Sequence, residues 1–265
     1  MITKSLYVRK KLFDTCEIRK VIHIKQMKKI LSRMRMAVEK YNMIKQDDII
    51  AVGVSGGKDS LVLLAALAEM RRFNDYSYDV IAITVDNGAV PAEREIFKPI
   101  TEFCNALGVR HEIIRTEISE IVFNVRKEEN PCSLCAKLRR GALHNAAEEL
   151  GCTVLALGHH MDDVAETYMM NIMLAGRAGC FCPEMTYENS GIKLIRPFIY
   201  LREGEINGYA SAAELPVIEK ICPVDGDTER QHFKELLKSE DVRHRGVYKR
   251  ILGALERSGI DGWKE

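Results

Sequence analysis

The sequence predicts an α/β protein built on a doubly wound, mostly parallel sheet of five strands. Short runs rich in β-branched and other apolar residues alternate along the chain with longer segments of helical periodicity. This alternation is typical of parallel sheets whose strands are joined by crossover helices. The chain has 265 residues, of which 46% are hydrophobic, and this is ample for the core of one large domain.

Four runs are expected to form the centre of the sheet, and they lie at residues 49–54, 80–85, 111–115 and 154–157. A shorter run at residues 192–196 is expected to add an edge strand. Helices are predicted near residues 59–73, 91–107, 133–150 and 162–175. After Arg202 the pattern is helical, with breaks at Pro216 and Cys222-Pro223 and with helices near residues 227–239 and 242–258.

A basic segment precedes the predicted sheet. Residues 1–45 hold 13 Lys and Arg but only three acidic residues, a net +10, so that residues 46–265 sum to −9. Residues 17–44 have helical spacing, with an apolar stripe that packs on the core or across a homodimer. The charge favours a polyanion partner, nucleic acid first, although a solvated helix face is the simpler alternative. The candidate RNA contacts here are Lys25, Lys28, Lys29 and Arg33.

The predicted organisation is therefore a basic helical arm at residues 1–45, an α/β domain at 46–215 and a helical extension at 216–265. No run of 18 apolar residues occurs, and the N-terminus does not resemble a secretory signal, so we expect a cytoplasmic protein without a membrane span. Eight cysteines in such a chain indicate metal binding or catalysis more than a disulfide framework.

A glycine-bearing turn joins the first predicted strand to the next helix, and it reads Ser55-Gly56-Gly57-Lys58-Asp59-Ser60. A tight turn into a helix points several backbone N–H groups and the positive helix end at one spot, which suits a phosphate group. The spacing differs from both the P-loop and the dinucleotide-binding glycine motifs. An ordinary glycine-rich turn is the alternative.

Two further segments follow predicted strands and are expected to share one crevice with this turn. They supply the candidate nucleotide contacts Val85, Asp86, Gly158 and His159. The next helix begins near Asp162 and Asp163, which either cap it, with Asp163 and Glu166 at capping-box spacing, or place a carboxylate for Mg²⁺ or a target base. Asp59 has the same ambiguity between capping and catalysis.

The pair Cys132 and Cys135 lies at a predicted helix start, with Asn130 as a candidate cap and Pro131 in the first turn. Cysteines three residues apart share a helix face, and the helix N-terminus acidifies their thiols. Metal ligation, redox chemistry and packing all remain open for a single pair of this kind. Basic side chains follow one to two turns later and near residue 196, where they suit phosphates or RNA: Lys137, Arg139, Arg140 and Arg196.

Taken together, these motifs resemble the PP-loop ATP pyrophosphatases, and their order resembles the tRNA 2-thiocytidine synthetase family over about residues 25–240. The resemblance implies an adenine nucleotide alpha hydrolase-like fold, binding of ATP and Mg²⁺, and Lys137 as a catalytic helper. It also implies a [4Fe–4S] cluster held by Cys132, Cys135 and Cys222. Three protein ligands leave one iron open for an exogenous sulfide.

The implied reaction is tRNA thiolation, in which ATP adenylates the C2 carbonyl of a cytidine, position 32 by family resemblance, and sulfur replaces oxygen. The implied sulfur donor is a cysteine desulfurase or sulfide. Cys180 and Cys182 depart from the family pattern and compete with Cys222 as the third ligand. The alternatives are another PP-loop tRNA ligase, lysidine synthetase-like or 2-thiouridine synthetase-like, and a non-enzymatic RNA-binding metal protein. The terminal zinc cysteines of the 2-thiouridine branch are lacking.

Overall fold

The computed structural model describes residues 25–90, 94–127, 131–218 and 229–265. Asn130, Cys222 and the part of the basic arm before residue 25 lie outside the described residues. The predictions made for these positions therefore stay predictions.

The sheet has six strands in the order β3-β2-β1-β4-β6-β5, and only the β5–β6 pair is antiparallel. The strands are β1 (Asp48–Gly53), β2 (Tyr78–Asp86), β3 (Arg110–Arg115), β4 (Val154–Ala156), β5 (Glu184–Thr186) and β6 (Lys193–Ile195). All five predicted strands are present, so the predicted doubly wound sheet is confirmed. The prediction missed β5 and wrongly placed residues 192–196 at the edge, because β5 pairs outside them.

The helices cover both faces of this sheet. They are α1 (Lys25–Lys40), α2 (Lys58–Met70), α3 (Lys98–Ala106), α4 (Ile118–Glu120), α5 (Pro131–Glu149), α6 (Met161–Ala175), α7 (Glu203–Ala212), α8 (Glu229–Arg243) and α9 (Val247–Ser258). A π-helix, Ile121–Arg126, continues α4. The helix predicted near residues 91–107 begins only at Lys98, with Pro99 in its first turn, where a missing N–H costs nothing. No helix in the described ranges is long and apolar enough to cross a bilayer.

Each central strand divides its side chains between two hydrophobic cores. On β1, Ile50 and Val52 face the core that includes α1, α2 and α7, whereas Ala51 faces the core beneath α5. The alternation follows from the two-residue period of a strand. Burial on both faces explains why these strands read as continuous apolar runs.

Helix α1 is built into the first of these cores through Met27, Ile30 and Met34, which are fully buried. Two of the residues predicted to contact RNA form ion pairs with one carboxylate. The Glu205 side chain lies 2.8 Å from Lys29 Nζ and 2.6 Å from Arg33 Nη1. The two others, Lys25 and Lys28, are exposed. The described part of the arm therefore docks on α7 and leaves only some of its charge for a partner.

Candidate functional site

A cavity of about 560 Å³ opens beyond the carboxyl ends of β1, β2, β4 and β6. Ten of the residues singled out from the sequence line it: Ser55, Asp59, Ser60, Val85, Arg139, Arg140, Gly158, His159, Asp163 and Arg196. They come from the Ser55–Ser60 turn, from the loop after β4, from β2, from the residue after β6, and from α5 and α6. Such a cavity is large enough for a nucleotide, and its position agrees with where ligands bind in open α/β sheets.

The glycine turn that enters α2 is held in shape by its own hydroxyls. Ser60 Oγ accepts a hydrogen bond from Ser55 N at 3.1 Å and donates one to Gly57 O at 2.9 Å. Gly56 has a φ of +83°, a conformation that L side chains rarely adopt. Its carbonyl accepts a bond from Ile218 N at 3.0 Å, so the turn is also tied to the C-terminal part of the chain. The result is a preformed turn at the start of a helix, a place where backbone N–H groups suit an anion.

Three members of this turn, Gly56, Gly57 and Lys58, lie outside the cavity wall. The Lys58 ammonium lies 3.3 Å from Asp59 Oδ2 and 3.1 Å from Glu203 Oε1. Burial alone would lower its pKa, but these two carboxylates raise it. Burial would also raise the pKa of Glu203, and hydrogen bonds from Lys234 and Lys58 instead hold it at about 2. Lys58 is therefore a charged anchor between α2 and α7.

The expectation that Asp86 shares this cavity is wrong. Val85 and Ile83 line it, but Asp86 lines a second cavity of about 300 Å³, together with Arg115 of β3. Its Oδ1 accepts a hydrogen bond from Gly88 N at 3.0 Å. Successive side chains of a strand point to opposite faces, and Val85 and Asp86 accordingly line different cavities.

The start of α6 is capped by a different pair from the predicted one. His160 is the N-cap: its backbone N–H donates to Asp163 Oδ2 at 2.9 Å, and its Nδ1 accepts from Asp163 N at 3.4 Å. The capping box thus joins His160 and Asp163, and not Asp163 and Glu166. The other oxygen of Asp163 lies 3.2 Å from Arg230 Nη1, at the cavity wall.

Asp162, predicted as catalytic, is turned away from the cavity. Its buried carboxylate accepts from Arg202 Nε at 3.2 and 3.1 Å and from Glu203 N at 2.8 Å. The Arg202 guanidinium also lies 3.6 Å from the centre of the Tyr248 ring. These contacts join α6 to the first turn of α7 and to α9, so the structure gives Asp162 a role in holding helices together.

We expect Asp162→Ala to destabilise the fold by about 2 kcal/mol, because the half-buried Arg202 guanidinium and the Glu203 N–H lose their shared acceptor. A thermal unfolding scan measures this as a fall of several degrees in Tm. Asp75→Ala, at an exposed position, is the control and should leave Tm unchanged. An unchanged Tm for Asp162→Ala, with activity lost, would restore the predicted catalytic role.

Helix α5 turns one stripe toward the cavity, and Ala136, Arg139 and Leu143 belong to it. Cys132 continues this stripe because it lies four residues before Ala136, about 6 Å along the helix axis. Its side chain is exposed, and that of Cys135 is half-buried. Lys137 is exposed and lies outside the cavity wall, one turn before Arg140, which lines it.

The cysteines fit a thiolate-bound cluster in part. Cys132 and Cys135 are three residues apart on the first turn of α5, and soft thiolate ligands suit iron–sulfur clusters. The described ranges contain no group of three metal-binding side chains, and the predicted third ligand, Cys222, lies outside them. Cys180 is a poor competitor: its Sγ donates to Val164 O at 3.5 Å, and burial raises the pKa of its thiol to about 12. Cys182 is half-buried.

Among the wall residues that sequence reasoning did not single out, three could contact a ligand through a hydroxyl, a ring or a charge: Thr167, Phe181 and Arg230. Arg230, at the start of α8, reaches Asp163 and also Thr167 Oγ1, the latter at 3.2 Å. None of the three belongs to a recognisable motif. Only the packing of α8 on α6 brings Arg230 to the site.

Comparison with known proteins places the chain among relatives of stated activity. Residues 23–238 match the PP-loop domain family. A tRNA-cytidine(32) 2-sulfurtransferase of Geobacter metallireducens is 37% identical over 234 residues, covering 87% of this chain and 90% of the relative. The enzyme of the same description from Deinococcus radiodurans is 34% identical over 234 residues, covering 86% and 76%. Among solved structures, the U34-tRNA thiolase NcsA from Methanococcus maripaludis with its [4Fe-4S] cluster has a TM-score of 0.72 and 26% identity, covering 88% of this chain and 79% of that one.

Proposed function

The chain belongs to the PP-loop domain family, among the tRNA-cytidine(32) 2-sulfurtransferases, and on this premise we propose that it is an ATP-dependent tRNA thiolase. Its substrate is the C2 carbonyl of a cytidine in tRNA, at position 32. The observation that carries the proposal is that the Ser55–Ser60 turn and the stripe of α5 line one cavity, with Cys132 one helical turn beyond Ala136 of its wall. Nucleotide activation and sulfur delivery to one base need such a shared cavity.

The first step activates the base. The C2 oxygen attacks the α-phosphorus of ATP, a new P–O bond forms, and pyrophosphate leaves. The backbone N–H groups at the start of α2 stabilise the negative charge on the phosphates, and Arg139 and Arg140 in the same cavity act with them. Asp59, whose Oδ1 has no hydrogen-bond partner in the described structure, is our proposed contact for the Mg²⁺ carried by ATP.

The second step replaces oxygen by sulfur at C2, and the adenylated oxygen leaves as part of AMP. We propose Cys132, Cys135 and Cys222 as the ligands of a [4Fe–4S] cluster, which when bound supplies an open iron that holds the sulfide. Ile218 N donates a hydrogen bond to Gly56 O of the turn, and Cys222 follows Ile218 by four residues in the sequence. The residues of the chain do the rest: they bind and orient the two substrates.

The remaining partners follow from this activity. A cysteine desulfurase or free sulfide is the proposed sulfur donor, and a homodimer stays a prediction from the sequence. Because tRNA is the substrate, the cytoplasm is the proposed location. Exposed Lys25 and Lys28 of α1 are the proposed contacts of the described arm to the tRNA backbone.

The test is a thiolation assay with the anaerobically purified protein, tRNA, ATP and sulfide, in which the digested tRNA is analysed by mass spectrometry. We expect 2-thiocytidine to form, with one AMP released per thiolated base. Omitting ATP should abolish the product. Formation of lysidine or 2-thiouridine in place of 2-thiocytidine, or no ATP-dependent product at all, would contradict the proposal.

A further inference from the structure

Part of the cavity wall is a stacked group of planar side chains, and the two proposed steps assign no contact between this group and the target base. We propose that this group, formed by Phe181, Arg196 and His159, is the surface on which the pyrimidine base to be modified stacks after it has left its stack in the RNA. The inference rests on the proposed function and adds to it the place of the base.

The three side chains form one contiguous group and all line the cavity. The centres of the His159 and Phe181 rings are 4.9 Å apart, with the planes tilted by 37°. The Arg196 guanidinium lies 4.8 Å from the centre of the Phe181 ring. Aromatic rings and guanidinium planes are the surfaces on which proteins stack unpaired RNA bases, because every base has a π face.

The strand order separates this group from the phosphate cradle. His159 follows β4 and Arg196 follows β6, whereas the cradle follows β1. Neighbouring strands lie about 4.8 Å apart, so β6 is about 10 Å from β1 across the mouth of the sheet. Phosphates at the cradle and a base at the Arg196 end of the group would therefore be separated by about two strand spacings.

The group is suited to a neutral base. Burial and the nearby charge of Arg196 lower the pKa of His159 to about 4, so its ring is uncharged at neutral pH. Two buried nitrogens, His159 Nδ1 and Arg196 Nε, have no hydrogen-bond partner in the part of the chain that the structure describes. Buried polar atoms are nearly always paired, and such exceptions call for a ligand or water that completes them.

The backbone of residues 180–182 is held by hydrogen bonds to Asp261, Trp263 and Arg196. Trp263 Nε1 donates to Phe181 O at 3.1 Å, and Cys180 N donates to Asp261 Oδ2 at 2.8 Å. Arg196 Nη1 donates to Cys182 O. Trp263 itself is fully buried. Asp261 and Trp263, near the C-terminus, thus hold the stacking surface in place before any RNA binds. This reduces the conformational entropy that is lost on binding.

The test uses the full chain and an anticodon stem-loop RNA with the fluorescent base pyrrolocytosine at the target position. With the unmodified protein we expect the fluorescence to fall on binding, because the base stacks. Phe181→Leu keeps the apolar volume but removes the ring, so we expect the fluorescence change to be lost and kcat/KM for tRNA thiolation to fall about tenfold or more, roughly what one stacked base contributes. Phe181→Tyr keeps the ring and should retain both properties.

Phe73→Leu is the matched control, because this exposed phenylalanine lies under the Arg72 guanidinium, at 5.7 Å, but outside the cavity. It should change neither fluorescence nor thiolation. The inference is overturned if Phe181→Leu behaves like the control, or if Phe181→Leu weakens ATP binding as much as thiolation, which would assign the group to the nucleotide. If the unmodified protein forms no 2-thiocytidine, the proposed function fails, and the fluorescence comparison still tests the stacking.

Discussion

Replacing Cys132 by alanine is expected to abolish tRNA thiolation, with a loss of at least about 1000-fold, while ATP binding stays intact. Cys132 is exposed at the N-terminal end of the stripe of α5 that lines the cavity, and it is not itself part of the cavity wall. Its loss removes one of three proposed cluster ligands, and we expect the cluster to be lost with it because Cys thiolates are what hold such clusters. The measurements are iron and sulfide content with the anaerobic absorbance near 400 nm, thiolation, and ATP affinity.

The competing cysteines make the controls for this experiment. We expect Cys222→Ala to reproduce Cys132→Ala in all three measurements, and Cys182→Ala to retain the cluster and the activity. If Cys182→Ala lost the cluster while Cys222→Ala kept it, Cys182 would replace Cys222 as the third proposed ligand. Full thiolation by Cys132→Ala would refute the role of the cluster altogether.

Local sequence was sufficient for the parts of the site that one loop or one helix builds alone. The Ser55–Ser60 turn follows from an apolar strand, two glycines and a helix, and the stripe of α5 follows from helical spacing. Strand alternation also accounts for the two cores. Strand β5 was missed because its sequence, Glu-Met-Thr, is not an apolar run, and its pairing with β6 supplies the stability.

The remaining features depend on contacts between residues far apart in the chain. From the sequence, Asp162 could be a helix cap or a catalytic residue. In the structure, Arg202, 40 residues later, donates a hydrogen bond to its carboxylate. Arg33 reads as a free cation until Glu205 pairs with it. Arg230 reaches the cavity because α8 packs on α6. Phe181 reaches it because Asp261 and Trp263 hydrogen-bond to the backbone of residues 180 and 181. No pattern along the sequence encodes such pairings.

Gly158→Ala is expected to lower kcat/KM for ATP on the order of 100-fold, although it adds one methyl group. A Cβ at this position would lie 3.1 Å from both the carbonyl carbon and the oxygen of Asp59 and 3.3 Å from Ser60 N. These atoms are backbone in the first turn of α2, so they cannot rotate away as a side chain would. The strand-end loop and the phosphate cradle must therefore move apart by a few tenths of an ångström, and the N–H groups aimed at the phosphates move with the cradle.

Gly208→Ala tests whether this effect comes from the contact and not from the loss of a glycine. Gly208 lies within α7, and a methyl group added there would meet no atom within 4 Å, so the substitution should leave ATP affinity unchanged and slightly favour the helix. Both variants are compared by ATP titration and by thermal unfolding. Equal ATP affinity in the two would mean that the close approach of Gly158 to Asp59 does not position the cradle. A large loss confined to Gly158→Ala, with Tm nearly retained, would mean that the spacing between β4 and α2 sets how tightly the phosphates are held.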